Sequence, residues 1–269
     1  MSFDLVINTR PAHKSRELEA LLGDFKQLNL PALSLVPLDF QLPATWQAND
    51  FIFFVSQFAV DCFFSYLQQH AIGWPPHLYA AAVGPVSADA LLAHGLATER
   101  VLVAPQGEAD SESFLDWFEA HYQVPKRVMI VRAEHGRDWL YQQLQQRQVE
   151  TSFLAVYKRT AAAWSEQAKQ PLLDLLSTKP EARVCWLMTS RDSVDAVVAQ
   201  WQQEPLLAQY AWQHDFLFFH ARIAEHLQHK KMQLAPAQKT PLRVHFCQAD
   251  NVSIVAALKR LSAKGSYVE

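Results

Sequence analysis

The run Val184-Cys185-Trp186-Leu187-Met188-Thr189-Ser190 decides the fold. Its first five residues are bulky and uncharged, as expected of a strand buried on both faces, and its hydroxyls fall where the strand runs out. Val194, Val197, Val198 and Trp201 then recur at helical spacing. The same arrangement occurs earlier in Phe51-Ile52-Phe53-Phe54-Val55-Ser56, followed by Phe58, Val60, Phe63 and Phe64. Ser56 aligns with Ser190, and Gly84 through Leu91 align with His220 through Leu227 at nearly the same spacing, so an internal duplication is expected. A strand that ends in a small hydroxyl residue and turns into a helix leaves unpaired N–H groups at the carboxyl edge of a sheet. Open α/β folds bind ligands there. With two such edges, the gap between them is the expected site.

The rhythm continues on either side. From Phe51 to Arg132 the pattern alternates strand and helix: strands 51–55, 78–83, 101–104 and 128–131, with helices to about Gln69, at 87–94 and at 113–121. This predicts a parallel sheet covered by helices. Gly136-Arg137-Asp138 is read as opening a further helix. Leu5 to Asn8 predicts a strand followed by a helix through Leu18, Leu21, Leu22 and Phe25, and Pro37 makes 33–40 an edge strand or a crossing. The second half supplies strands at 184–188, 216–219 and 244–247 with helices at 192–202, 221–229 and 252–261. That is short for a separate sheet, and the amino-terminal strand is the available supplement. One domain is therefore expected from residues 1–35 and 160–269 and another from 41–153, joined by crossings at 36–40 and 154–159.

The chain has 269 residues, 50% hydrophobic, ample for two cores. Lys plus Arg number 24 against Asp plus Glu 27, with no basic block, so nucleic acid is not an expected partner. A polyanionic substrate remains compatible, because helix amino ends bind anions without a global positive charge. The start, Met1-Ser2-Phe3-Asp4, has no leader signature, and no apolar stretch is long enough for a membrane. Cys62, Cys185 and Cys247 read as reduced thiols of a cytoplasmic protein.

The strand ends that lead into helices bring together Thr9-Arg10, Ser56-Gln57, Gly84-Pro85, Arg132 to Gly136, Thr189-Ser190 and His220-Ala221-Arg222. Their hydroxyls and N–H groups can bind carboxylates or phosphates, or the hydroxyls can simply cap helices. Arg10, Arg132 and Arg222 each follow an apolar run, a place for carboxylate ligands or for surface ion pairs. Tyr157 is either a packing residue or a phenol able to donate a proton. With seven glycines there is neither G-x-G-x-x-G nor G-x-x-x-x-G-K-[ST], and no metal-ligand spacing or nucleophile motif occurs, so no metal and no cofactor is expected.

At these residues the chain resembles the uroporphyrinogen-III synthase family. The matching pieces are Val6-Ile7-Asn8-Thr9-Arg10-Pro11, Phe54 through Val60, Ala82-Val83-Gly84-Pro85, Ile130-Val131-Arg132 with Gly136-Arg137, Val156-Tyr157, Thr189-Ser190 and Ala249-Asp250-Asn251. Gln57 departs from a family position that often holds a proline, and Pro236 to Pro241 reads as an insertion. The resemblance implies two similar flavodoxin-like α/β lobes with parallel sheets, the first discontinuous, joined by a two-stranded linker. It implies a cytoplasmic, monomeric, cofactor-free lyase that cyclises hydroxymethylbilane to uroporphyrinogen III with inversion of ring D, its substrate held between the lobes. Tyr157 falls on the family's proton donor. The competing readings are a non-catalytic two-domain protein that binds a small polyanion, and a flavin-binding redox pair.

Overall fold

The structure, a computed structural model, describes residues 2–105 and 111–263. Met1 and residues 264–269, the outermost ends of the expected discontinuous lobe, lie outside them. In chain order the elements are β1 (Leu5–Asn8), α1 (Ala12–Leu22), β2 (Gln27–Asn29), β3 (Leu33–Pro37), β4 (Phe51–Phe54), α2 (Gln57–Gln69), β5 (Tyr79–Ala82), α3 (Pro85–Ala93) and β6 (Val101–Val103). There follow α4 (Ser111–His121), β7 (Arg127–Ala133), α5 (Trp139–Gln146), β8 (Glu150–Ala161), α6 (Glu166–Thr178), β9 (Val184–Met188), α7 (Arg191–Gln203) and α8 (Pro205–Tyr210). The last are β10 (Asp215–Phe218), α9 (Ala221–Leu234), β11 (Arg243–Phe246) and α10 (Asn251–Ala263). These elements form two compact units. One uses the chain through Ser34 and again from Thr160; the other is Leu35–Arg159.

In the first unit the strands lie in the order β11-β10-β9-β1-β2, every neighbouring pair parallel. Alternation along the strands separates two cores. Ile7, Trp186, Met188 and Phe216 pack with Val194, Val197 and Trp201 of α7 on one face. Val6, Cys185, Leu187 and Leu217 pack with Leu18 of α1 and Leu258 of α10 on the other. Numbered by chain order within the unit, the row reads 2-1-3-4-5, the flavodoxin-like order.

The second unit's sheet is β3-β8-β7-β4-β5-β6. Its pairs from β8 to β6 are parallel, and β3 lies on the outer edge beside β8, with the Leu38 N–H donating to the Val156 carbonyl at 2.9 Å. Ile52 and Phe54 face α2 and α3, whereas Phe51 and Phe53 face α4 and α5. Each such large apolar side chain removed from water contributes about 1.5–3 kcal/mol, which is why an uncharged run of this kind fixes a central strand.

The duplication is circularly permuted. The row β11-β10-β9-β1-β2 corresponds strand for strand to β6-β5-β4-β7-β8, but β1 and β2 precede their unit's other strands in the chain and β7 and β8 follow theirs. Neighbour for neighbour the rows match, while the second unit's five parallel strands, β3 set aside, read 3-2-1-4-5 by chain order. The row reverses direction between β1 and β9 in the first unit and between β4 and β7 in the second, and these are the two switch points.

Candidate functional site

Each switch point is flanked by predicted site residues. In the first unit, Thr9 and Arg10 follow β1, and Thr189 and Ser190 follow β9. In the second, Ser56 and Gln57 follow β4, and Arg132 begins the close of β7. Registers sharpen the match: Asn8 pairs with Leu187 and Val131 with Phe54, so Arg10 and Arg132 stand level with Thr189 and Val55, the residues just before the two serines.

Both arginines are buried, at 5% and 7% exposure, and both are engaged by their own unit. The Arg10 Nη2 group donates to Asn251 Oδ1 at the start of α10 (2.8 Å), and its backbone N–H and Nε donate to Asn8 Oδ1 (3.1 and 3.4 Å). Burial pulls the Arg10 pKa down from its ordinary value, opposed by Glu17. Such a group still stays charged. Arg132 pairs with Asp138 through Nη1 (2.5 Å), donates from Nε to the Ala133 carbonyl (3.1 Å) and lies over the Phe153 ring, 4.6 Å from its centroid. Its guanidinium also lies against the Gly136 backbone, where an added Cβ would come within 3.0 Å of Nη2. Arg132, Gly136, Asp138 and Phe153 line a small hollow of about 280 Å³. The expected helix with Leu140 and Leu144 does follow Gly136-Arg137-Asp138. α5 starts at Trp139, and Asp138 sits at its cap position without a side-chain capping bond, because its carboxylate is held by Arg132.

The serines do cap their helices. Ser56 Oγ accepts the Ala59 N–H (3.2 Å) at the start of α2, and Ser190 Oγ accepts the Ser193 N–H (3.0 Å) at the start of α7. Around Ser190 a second serine takes part: Ser193 Oγ accepts the N–H groups of Thr189 and Ser190 (3.2 and 2.9 Å) and donates to the Ser190 carbonyl (2.7 Å). Ser56 is open on one side, and there it meets Tyr157, with 3.2 Å between Ser56 Oγ and the phenol oxygen. Tyr157 is 2% exposed, its ring meets Phe58 edge-on at 5.1 Å, and its carbonyl accepts the Glu134 N–H at 2.8 Å.

Of the remaining predicted residues, Gln57 follows Ser56, and the others lie one strand further out. Gly84 and Pro85 open α3, with Gly84 at the cap position, and Gln57 is exposed in the first turn of α2. His220 caps α9 by accepting the Arg222 N–H on Nδ1 (3.2 Å). Arg222 is exposed on the first turn of that helix, so the expected equivalence of three arginines reduces to Arg10 and Arg132. Sequence reasoning did not select Asn8, Asn251, Asp138 or Ser193 as site residues, although all four hold site residues in place. Thr9 likewise secures the first switch point by donating its hydroxyl to the Leu187 carbonyl. A hollow of about 880 Å³, lined by Trp74, His94 and Arg100 among others, lies by the carboxyl ends of α2 and α3, away from all of these groups. Among the described residues no cluster of three or more His, Cys, Asp or Glu side chains could hold a metal ion.

Comparison with known proteins identifies the family. The family model described as uroporphyrinogen-III synthase HemD matches residues 15–240. The chain is 30% identical over 164 residues to the uroporphyrinogen-III synthase of Escherichia coli K12, and 31% over 166 residues to that of Salmonella typhimurium LT2. Each alignment covers 58% of this chain and 65% of the relative, so the chain spans about two thirds, 65%, of the length of the curated relatives it matches. A solved structure, uroporphyrinogen-III synthetase from Helicobacter pylori 26695, shares the fold with a TM-score of 0.55 at 15% identity, over 98% of this chain and 99% of that one. With a family model matched across most of its length, the chain belongs to the uroporphyrinogen-III synthase HemD family.

Proposed function

We propose that this protein is a uroporphyrinogen-III synthase that cyclises linear hydroxymethylbilane to uroporphyrinogen III, with inversion of ring D and loss of water. The observation that carries the reading is the Tyr157 phenol, held by a helix-capping serine beside a switch point, at the position where the family resemblance puts the proton donor. The family match includes Tyr157 and the rim residues from Ser56 to Arg222; Arg10 lies just before it.

In this mechanism Tyr157 gives its proton to the terminal hydroxyl of the bilane as the carbon–oxygen bond breaks. Water leaves, and the pyrrole nitrogen's electron pair makes the azafulvene. Ring D attacks that carbon through its substituted position, giving a spiro intermediate. The intermediate fragments and recloses with the ring turned over, and the proton finally lost from the pyrrole restores the phenol. The substrate supplies the electron push, so the protein must orient the chain and help the hydroxyl depart. Substrate carboxylates are assigned to the Ser56 and Gly84 N–H groups and the Gln57 side chain in one unit, where Pro85 only shapes the helix start, and to the side chains of Thr189, Ser190, His220 and Arg222 in the other. Arg10, Arg132 and Gly136 keep those rims positively charged and in shape. Exposed Val86 and Val252, at 63% and 73%, offer apolar contact for pyrrole faces.

The same reading takes the protein as a cytoplasmic monomer that needs no cofactor. Its support is general: the three cysteines are free thiols, and no helix among the described residues is long and apolar enough to cross a membrane. The test is to supply freshly generated hydroxymethylbilane and separate the product isomers. Isomer III is expected; only isomer I, the product of spontaneous closure, would refute the assignment.

A further inference from the structure

We infer that Ser56 is a positioning residue that ties the Tyr157 phenol to the amino end of α2 and so readies it to lose its proton. The inference rests on the proposed function and assigns the Ser56 hydroxyl a duty toward Tyr157, beside the part its N–H takes toward substrate. Ser56 sits in extended backbone (φ −165°, ψ 160°), which aims its hydroxyl back over the first turn of α2. Its oxygen accepts the Ala59 N–H, so its own hydrogen is available, and the phenol oxygen lies within reach at 3.2 Å. With the serine donating, the phenol hydrogen is left to point at a substrate hydroxyl. The chain Ala59 N–H to Ser56 O–H to Tyr157 O–H runs in one direction, and each bond polarises the next.

Charge completes the argument. As the phenol gives up its proton, negative charge grows on an oxygen one hydrogen bond from the amino end of a 13-residue helix, where the macrodipole carries about half a positive charge. A donor already aimed at developing charge needs no reorganisation during the reaction. The edge-on ring of Phe58 and the Glu134 N–H on the Tyr157 carbonyl fix the other end of the residue. The first unit has the same serine without this use. Ser190 is bonded to Ser193, and the chain beyond β2, in the place matching Tyr157, reaches Ala32, whose N–H donates to the Thr9 carbonyl at 2.9 Å.

Two measurements test this, one of them independent of activity. In protein labelled with fluorotyrosine, the resonance that disappears in Tyr157→Phe should move in Ser56→Ala and stay in Ser190→Ala; an unmoved resonance in Ser56→Ala overturns the contact whatever the enzyme's reaction. In hydroxymethylbilane turnover, Ser56→Ala should lower kcat roughly tenfold to a hundredfold with KM changed less than about threefold. Ser56→Thr should recover most of the loss, and the loss should shrink below about threefold in a Tyr157→Phe background. Ser56→Asp keeps the helix cap but offers no hydrogen to the phenol, so it should fold and still be slow. An active Ser56→Asp, a raised KM with intact kcat, or equal losses in both backgrounds would each overturn the inference. Failure of wild-type protein to make isomer III sinks the proposed function instead and leaves the resonance test standing.

Discussion

Ser56 and Ser190 occupy matching places in matching sheets, yet one is joined to a phenol and the other to a second serine. The two rims teach that duplication preserves the scaffold and frees one copy for a specialised task. Strand row, hydroxyl cap and buried arginine recur in both units, whereas a phenol against the capping serine belongs to the second alone. Shared features are those any helix start beside a switch point needs: a capped first turn and a cation that holds the neighbouring loop. The Tyr157 phenol is an addition to that frame and comes from the outer strand β8.

The largest effect expected from breaking this contrast is at Tyr157. Tyr157→Phe should lower kcat about a hundredfold, equivalent to about 2.7 kcal/mol of barrier, while the thermal melt stays near that of wild type because the ring packing is retained. Next comes acid sensitivity, which should reside in the first unit. Burial holds the His214 pKa down at about 3, and its Nδ1 accepts the Trp186 Nε1–H at 2.9 Å, so the folded protein keeps this ring neutral. The unfolded chain protonates it near pH 6.5. Its contribution is complete above that pH and is lost as the pH falls toward 3, at up to about 1.4 kcal/mol per pH unit. Urea unfolding at pH 7 and pH 5 should show the slope, and His214→Gln should flatten it.

The matched arginines should differ by a smaller margin. Arg10→Ala leaves Asn8 and Asn251 without a buried donor and should cost about 2 kcal/mol, whereas Arg132→Ala abandons an Asp138 side chain that is 55% exposed and should cost about 1 kcal/mol. Chemical denaturation of the two variants decides whether the equivalence in register extends to energy. Smallest is Ser190→Ala, a lost helix cap worth about 1 kcal/mol, to be read from the same curves and accompanied by a smaller loss of kcat than Tyr157→Phe.

Much of this was legible in the sequence, for identifiable reasons. β4 and β9 are uncharged bulky runs that are buried throughout, and their following serines signal the caps. β2 was missed because Gln27-Leu28-Asn29 is a three-residue, partly exposed edge strand with no hydrophobic period, and α8 because its six residues are too few to show one. The parity of Arg10 and Arg132 could not be read from spacing, since the copies are permuted and only strand register puts the two residues level. For the same reason Arg222, which follows an apolar run just as they do, was grouped with them. Contacts such as Ser56 with Tyr157 or Trp186 with His214 join residues far apart in the chain and leave no local pattern.

The most direct test of the account is product analysis after hydroxymethylbilane is given to wild-type protein and to Tyr157→Phe at matched concentration. Isomer III from both, formed about a hundredfold more slowly by the variant, is the predicted result. Isomer I from the wild type, or equal rates from the two proteins, would contradict it.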